Sequence, residues 1–136
     1  MYLFGGSSGL NTNSTFYALD TTTNLWELVR TKSFQNDPIN TPPAIDEHTA
    51  VVNEDYMYVF GGFVDGDRVN FTYKFNFKLG EWKIIILQEG TPRPSQRAGH
   101  SAVICNDPDT GLPFMYIFGG KDNEDRQLND LWRLNL

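Results

Sequence analysis

The residues of this 136-residue chain with the most chemical potential are two histidines, one cysteine and a scatter of carboxylates. His48 and His100 invite a metal site, but neither has Cys, His or carboxylate neighbours at ligand spacing, and a metal needs several such donors converging. No metal is expected. A serine nucleophile beside His100 would be Ser101, yet no Gly-x-Ser-x-Gly elbow is present, and Ser101 opens a stretch that reads as a buried strand. The acidic pairs Asp107/Asp109 and Glu124/Asp125 have the composition of acid–base machinery. Both fall in polar loops, where turn-forming carboxylates are the ordinary role. Catalytic, cofactor-binding and metal-binding roles are therefore assigned to no residue, and the chain reads as a non-enzyme.

The histidines mark a repeat instead. His48-Thr49-Ala50-Val51-Val52 and His100-Ser101-Ala102-Val103-Ile104 follow Pro42 and Pro94 at the same distance. A second element recurs three times: Met1-Tyr2-Leu3-Phe4-Gly5-Gly6, Met57-Tyr58-Val59-Phe60-Gly61-Gly62 and Met115-Tyr116-Ile117-Phe118-Gly119-Gly120. A spacing of about 57 residues belongs to architectures in which each unit buries its apolar surface only against its neighbours. Each hexapeptide is an apolar run of strand-forming residues ended by two glycines, as where a buried strand stops at a turn needing positive φ or close backbone approach. A phosphate loop would need a helix after the glycines, and no Gly-x-Gly-x-x-Gly or Gly-Lys-Ser/Thr follows any copy.

After the glycines the copies stay in step. Tyr17 and Trp26 follow Gly6 at the distances by which Tyr73 and Trp82 follow Gly62, and Asp20 and Asn76 precede those tryptophans equally. A short polar side chain there can bond backbone amides of a hairpin turn. One unit is thus four strands: a small-residue strand, a double-glycine strand, a Tyr strand and a Trp strand. Trp26, Trp82 and the tyrosines are expected to cover sheet faces, and the histidines to be buried, bonding backbone carbonyls.

Composition narrows the class. Aromatic residues make up 14% of the chain and no apolar stretch approaches the roughly 20 residues that span a bilayer, so no membrane partner is expected. The net charge is −6 with no run of Lys or Arg, which removes the phosphate attraction behind nucleic-acid binding. The lone Cys105 cannot close an internal disulfide and no signal peptide precedes the first repeat, so a reducing, cytoplasmic location is expected. Two sequons, Asn13-Ser14-Thr15 and Asn70-Phe71-Thr72, point the other way.

Repeated four-stranded antiparallel units compose β-propeller blades. The chain resembles kelch repeats over its whole length. Pro94, Arg97, Gly99, His100, Ser101, Gly119, Gly120, Asn129, Asp130 and Leu131 fit that pattern in the last repeat, and Gly61, Gly62, Asn76 and Trp82 in the middle one. The middle repeat departs where Ile45 and Glu47 replace the arginine and the glycine. The resemblance implies an all-β, incomplete propeller over residues 1–136: blade 1 over 1–30 without its first strand, blade 2 over 48–87, and blade 3 over 100–136 without its last. Three blades cannot close a ring, so the remaining blades of a longer chain are expected to complete it, with a homodimer as the alternative.

If the strands alternate, the loops after the glycines (residues 7–13, 63–69 and 121–127) share a face with the inter-blade links, residues 31–47 and 88–99. Long loops on a rigid scaffold are where recognition usually lives. The resemblance implies that this face, together with the central pocket, holds a segment of a partner protein. Arg97 matches the family arginine that can point to the pocket, and Arg68 and Arg126 occupy equivalent loop positions after Gly62 and Gly120. A guanidinium offers a fork of donors to carboxylates or carbonyls. The expected role is a scaffold or adaptor for another protein; the alternative is an enzymatic or carbohydrate-binding propeller using the central pocket.

Overall fold

A computed structural model describes residues 1–32 and 38–136. Ten strands form three antiparallel sheets: β1 (Tyr2–Phe4), β2 (Phe16–Asp20) and β3 (Leu25–Leu28); β4 (Thr49–Asn53), β5 (Tyr56–Phe60), β8 (Thr72–Asn76) and β9 (Glu81–Ile84); and β10 (Ser101–Asn106), β11 (Pro113–Phe118) and β12 (Leu131–Asn135). Each sheet is ordered as its strands occur in the chain, so every connection is a hairpin. The expected three-, four- and three-stranded units are all present. One addition was not expected. The segment 63–69, read from sequence as a loop, contains a small hairpin of β6 (Phe63–Val64) and β7 (Asp67–Arg68), turned through Asp65 at φ +50° and Gly66 at φ +97°.

The turn chemistry follows the short polar residues. Asp20 Oδ1 accepts from the amides of Thr22 (2.7 Å) and Thr23 (3.3 Å), and Asn76 Oδ1 from those of Lys78 and Leu79, both at 2.9 Å. Asp107 uses the same device in the β10–β11 hairpin, accepting from Asp109 N at 3.1 Å and Thr110 N at 3.0 Å. Those backbone bonds pull the Asp107 carboxyl below its ordinary range. Its place in the turn, as the sequence suggested, is structural.

Strand β5 is apolar at every position because both of its faces are covered. Met57 and Val59 point to the first sheet and pack with Phe4, Phe16, Phe75 and Trp82, whereas Tyr58 and Phe60 point to the third sheet and pack with Met115 and Ile117. Aromatic edges lock the first junction. Phe16 meets Phe75 at 4.9 Å and 89°, and Trp82 lies 4.9 Å from Phe4 and 5.0 Å from Phe75. Such pairs contribute roughly 0.5–1.5 kcal/mol each beyond their buried area.

The outer faces correct two expectations. Trp26, predicted to be covered like Trp82, is 49% exposed where Trp82 is 6% exposed, because Trp82 packs on the sheet before it and, among the described residues, no sheet stands before Trp26. The small-residue strands, of which the one opened by Ser101 was read as buried, are open on one side. Val52 and Val103 are exposed and so is Ser101, while Val51, Ala102 and Ile104 pack between the second and third sheets.

Candidate interaction face

The double glycines are where adjacent blades touch. Gly62 N donates to Arg97 O at 2.8 Å and Gly6 N to Ile45 O at 2.8 Å, so each pair bonds to the stretch that opens the next blade. The first glycine of a pair faces the following blade: a Cβ on Gly61 would lie 2.7 Å from both Arg97 O and His100 Cε1, and one on Gly5 would lie 2.5 Å from Ile45 O. The second faces its own histidine. A Cβ on Gly62 would lie 2.8 Å from His48 Cβ, and one on Gly120 2.9 Å from His100 Cβ. Gly61 at φ +62° and Gly62 at φ +104° also hold backbone conformations closed to most side chains. Only a residue without Cβ fits. Gly119, with a single contact at 3.2 Å to Leu128 O, and Gly6, with none, lack the neighbour that crowds their counterparts.

The histidines join blade to blade, and among the described residues no cluster of ligating side chains occurs. His100 lies edge-on to Phe60 (5.2 Å) and His48 to Phe4 (5.7 Å), each reaching the preceding double-glycine strand. His100 Nε2 bonds Thr49 Oγ1 at 2.8 Å, while Nδ1 of both rings is buried without a partner. Burial pushes the His100 pKa down to about 4, helped by the positive charge of Arg97; burial lowers His48 too. The sign is that of a base held neutral by folding: its contribution is whole above about pH 6.5 and is lost as pH falls through about 4. Stability should therefore drop by about 2 kcal/mol from this residue between about pH 7 and pH 5. Urea midpoints across that window measure it, and His100→Gln should flatten the slope; an equal slope in both proteins would show that the ring does not titrate with unfolding.

Arg97, proposed above as a partner-facing residue, turns inward. It is fully buried and all five N–H groups are used: Nη1 donates to Asp130 Oδ1 (2.8 Å) and Gly119 O (3.1 Å), Nη2 to Asp130 Oδ2 (2.9 Å) and Ser95 Oγ (3.0 Å), and Nε to Ser95 O (3.1 Å). That bidentate fork holds the Asp130 pKa down to about 2. In this arrangement no donor is left for a partner. Ile45, equally buried, fills the same place in the preceding repeat.

The loops after the glycines do share a face, and two of them are stitched together. Arg68 N donates to Asn123 Oδ1 at 2.7 Å and Asn123 Nδ2 returns a bond to Arg68 O at 3.1 Å, so the side chain pairs with the β6–β7 hairpin as a strand would. The Arg68 guanidinium reaches Asp122 O and Asp125 Oδ1, both at 2.7 Å, and lies 5.1 Å from the Phe63 ring centre. Arg68 is thus a clamp between blades. Arg126 differs: its side chain is 68% exposed and held at one edge by Asp122 Oδ2 (2.8 Å) and Glu124 Oε2 (2.6 Å). Of the three arginines singled out, only Arg126 offers solvent-facing donors.

The remaining expectations resolve locally. Both sequon asparagines are structural, with Asn13 Nδ2 donating to Gly6 O at 2.9 Å and Asn70 Nδ2 to Pro94 O at 3.1 Å. The link expected to lie on the loop face does not stay there. Lys32 N donates to Gly80 O (2.7 Å) in the β8–β9 turn at the opposite end of the sheet; residues 33–37 of that link lie outside the described residues.

Known proteins carry the same pattern. The KLHDC2/KLHL20/DRC7 Kelch-repeats domain model matches residues 1–136. The chain is 30% identical over 135 residues to the leucine-zipper-like transcriptional regulator 1 homolog of Drosophila melanogaster, covering 98% of this chain and 13% of that protein. It is 29% identical over 160 residues to human host cell factor 2, covering 99% and 18%, and 30% identical over 145 residues to Bos taurus Kelch domain-containing protein 3, covering 99% and 35%. It therefore spans about a third or less of these relatives. With the match running from the first residue to the last, and the glycines, histidines and arginine of the pattern each joining one blade to the next, the chain belongs to the kelch-repeat family.

Proposed function

We propose that this chain is part of a non-enzymatic kelch scaffold that holds a segment of another protein on its loop face, in a reducing intracellular compartment. Kelch repeats are in general protein-interaction modules, and what supports this reading here is the stitched loop face. The Arg68–Asn123 clamp fixes two loops relative to each other, so a partner would meet a preorganised surface and lose little loop entropy on binding. Arg126, exposed on that surface, is the donor assigned to the partner. The same reading gives the open sheet faces to further blades, since Phe118 is 52% exposed where Phe60, at the same place in the hexapeptide, is 2% exposed beneath the third sheet.

The test is affinity capture followed by a variant. A partner recovered by the wild-type chain should bind Arg126→Gln about tenfold more weakly, the loss of a charged hydrogen bond, with melting temperatures compared to separate this from loss of the Asp122 contact. Unchanged affinity removes Arg126 from the site. Reproducible turnover on a substrate panel, with no partner captured, would favour the enzymatic alternative.

A further inference from the structure

The link that leaves the loop face builds something at the other end. Two of its described residues reach the middle sheet: Lys32 N donates to Gly80 O, and Asn40 Oδ1 accepts from Ile84 N of β9 at 3.1 Å. Between these residues and the sheet is a groove of about 410 Å³, lined by Lys32, Tyr56, Lys74, Glu81, Trp82 and Lys83, among others. Three of the chain's five lysines meet there, in a protein of net charge −6. Elsewhere Arg68, Lys78, Arg97, Arg126 and Arg133 are each paired with a carboxylate. Among the described residues, none of the three groove ammoniums has a carboxylate within salt-bridge distance.

Lys74 and Lys83 stand directly opposite each other across β8 and β9, a pairing of like charges that destabilises a sheet. The Lys74 ammonium lies 5.1 Å from the Tyr56 ring centre, a contact that holds the charge in place without neutralising it. We propose that this groove binds an acidic peptide segment, whose Asp or Glu side chains meet the three ammoniums while its apolar atoms lie on Tyr56. A compact phosphate fits less well. No arginine fork lines the groove, its charges come from two strands and a separate link, and the Ile84 amide already serves Asn40. The overall negative charge repels polyanions in general, so attraction here is local.

Fluorescence polarisation with fluorescein-labelled hexaglutamate tests this, using hexaglutamine as the uncharged control. The wild-type chain should bind hexaglutamate and not hexaglutamine, with affinity falling as salt rises toward about 0.15 M. Lys74→Glu should weaken binding at least about tenfold, whereas Lys121→Glu, on the loop face, should leave it unchanged. Because Lys74→Glu replaces a like-charge pair with an opposite one, its melting temperature should not fall, which separates lost binding from lost folding. No binding of hexaglutamate overturns the proposal, as does equal loss on Lys121→Glu. Displacement by inorganic triphosphate at lower concentration than by unlabelled hexaglutamate overturns it in favour of a small-anion site.

Discussion

Gly61→Val should destabilise the chain by about 4 kcal/mol, and Gly6→Val by about half as much. Both substitutions place a β-branched side chain at positive φ, which by itself costs roughly 1–3 kcal/mol. Only at Gly61 does the new Cβ also strike the next blade, 2.7 Å from the Arg97 carbonyl oxygen and from the His100 ring, against open space at Gly6. That carbonyl is held by the Gly62 amide, so moving it would break the backbone link between the second and third blades. The steric share is then of the order of core overpacking, roughly 1–3 kcal/mol. Urea unfolding of the two variants measures the difference. Equal losses would mean that the glycines serve only the turn and that blade contact adds nothing.

The sequence made the strands legible because three kinds of residue are constrained at once. The hexapeptide carries a two-faced apolar strand, the double glycine carries the close approach between blades, and Asp20 and Asn76 carry the hairpin turns. Each repeats in register, so their agreement leaves little freedom. What was not legible depends on contact between repeats. Trp26 and Trp82 are the same residue in the same motif, and only the presence of a sheet in front of one separates buried from exposed. Residues 63–69 read as a loop because Val-Asp-Gly-Asp is turn-forming, although the pairing of Phe63 with Arg68 makes it a hairpin that the next blade's Asn123 extends. The bonds of Lys32 to Gly80 and of Asn40 to Ile84 take those link residues away from the loop face, and the sequence carries no signal for either.

The arginine shows the same limit at the candidate site. The motif put Arg97 at the pocket, and what turns it inward is the carboxylate of Asp130, far along the chain and brought beside it by the β11–β12 pairing. A signal was present. Where Asp130 has a counterpart in the middle repeat the residue is Phe71, since Gly119 N and Gly61 N donate to the carbonyls of those two residues, and there the arginine is replaced by Ile45. Arg97 and Ile45 are both fully buried while Asp130 and Phe71 are both partly open to solvent, so it is the arginine position that is an interior plug in either blade.

Arg97→Ala should therefore destabilise by about 3 kcal/mol, with no need of a partner to reveal it. The substitution leaves a hole where a fully buried side chain stood, and removes donors from Gly119 O, Ser95 and both oxygens of Asp130. It should also move the acid limb. Asp130 is held at a pKa of about 2 chiefly by its hydrogen bonds from Arg97, so in the wild type its contribution is whole above the ordinary carboxylate pKa near 3.8 and is lost as pH falls toward 2. In Arg97→Ala that dependence should largely vanish, although the 41% exposure of the Asp130 side chain keeps its share of the total small. Arg97→Ile, which puts the middle repeat's buried residue in the hole and leaves the half-exposed Asp130 to water and Trp132, should lose less than Arg97→Ala. Chemical denaturation of the three proteins at neutral and acid pH distinguishes the cases. A loss under about 1 kcal/mol for Arg97→Ala would return this residue to the partner-binding surface, since a plug that can be removed so cheaply is not holding the blade together.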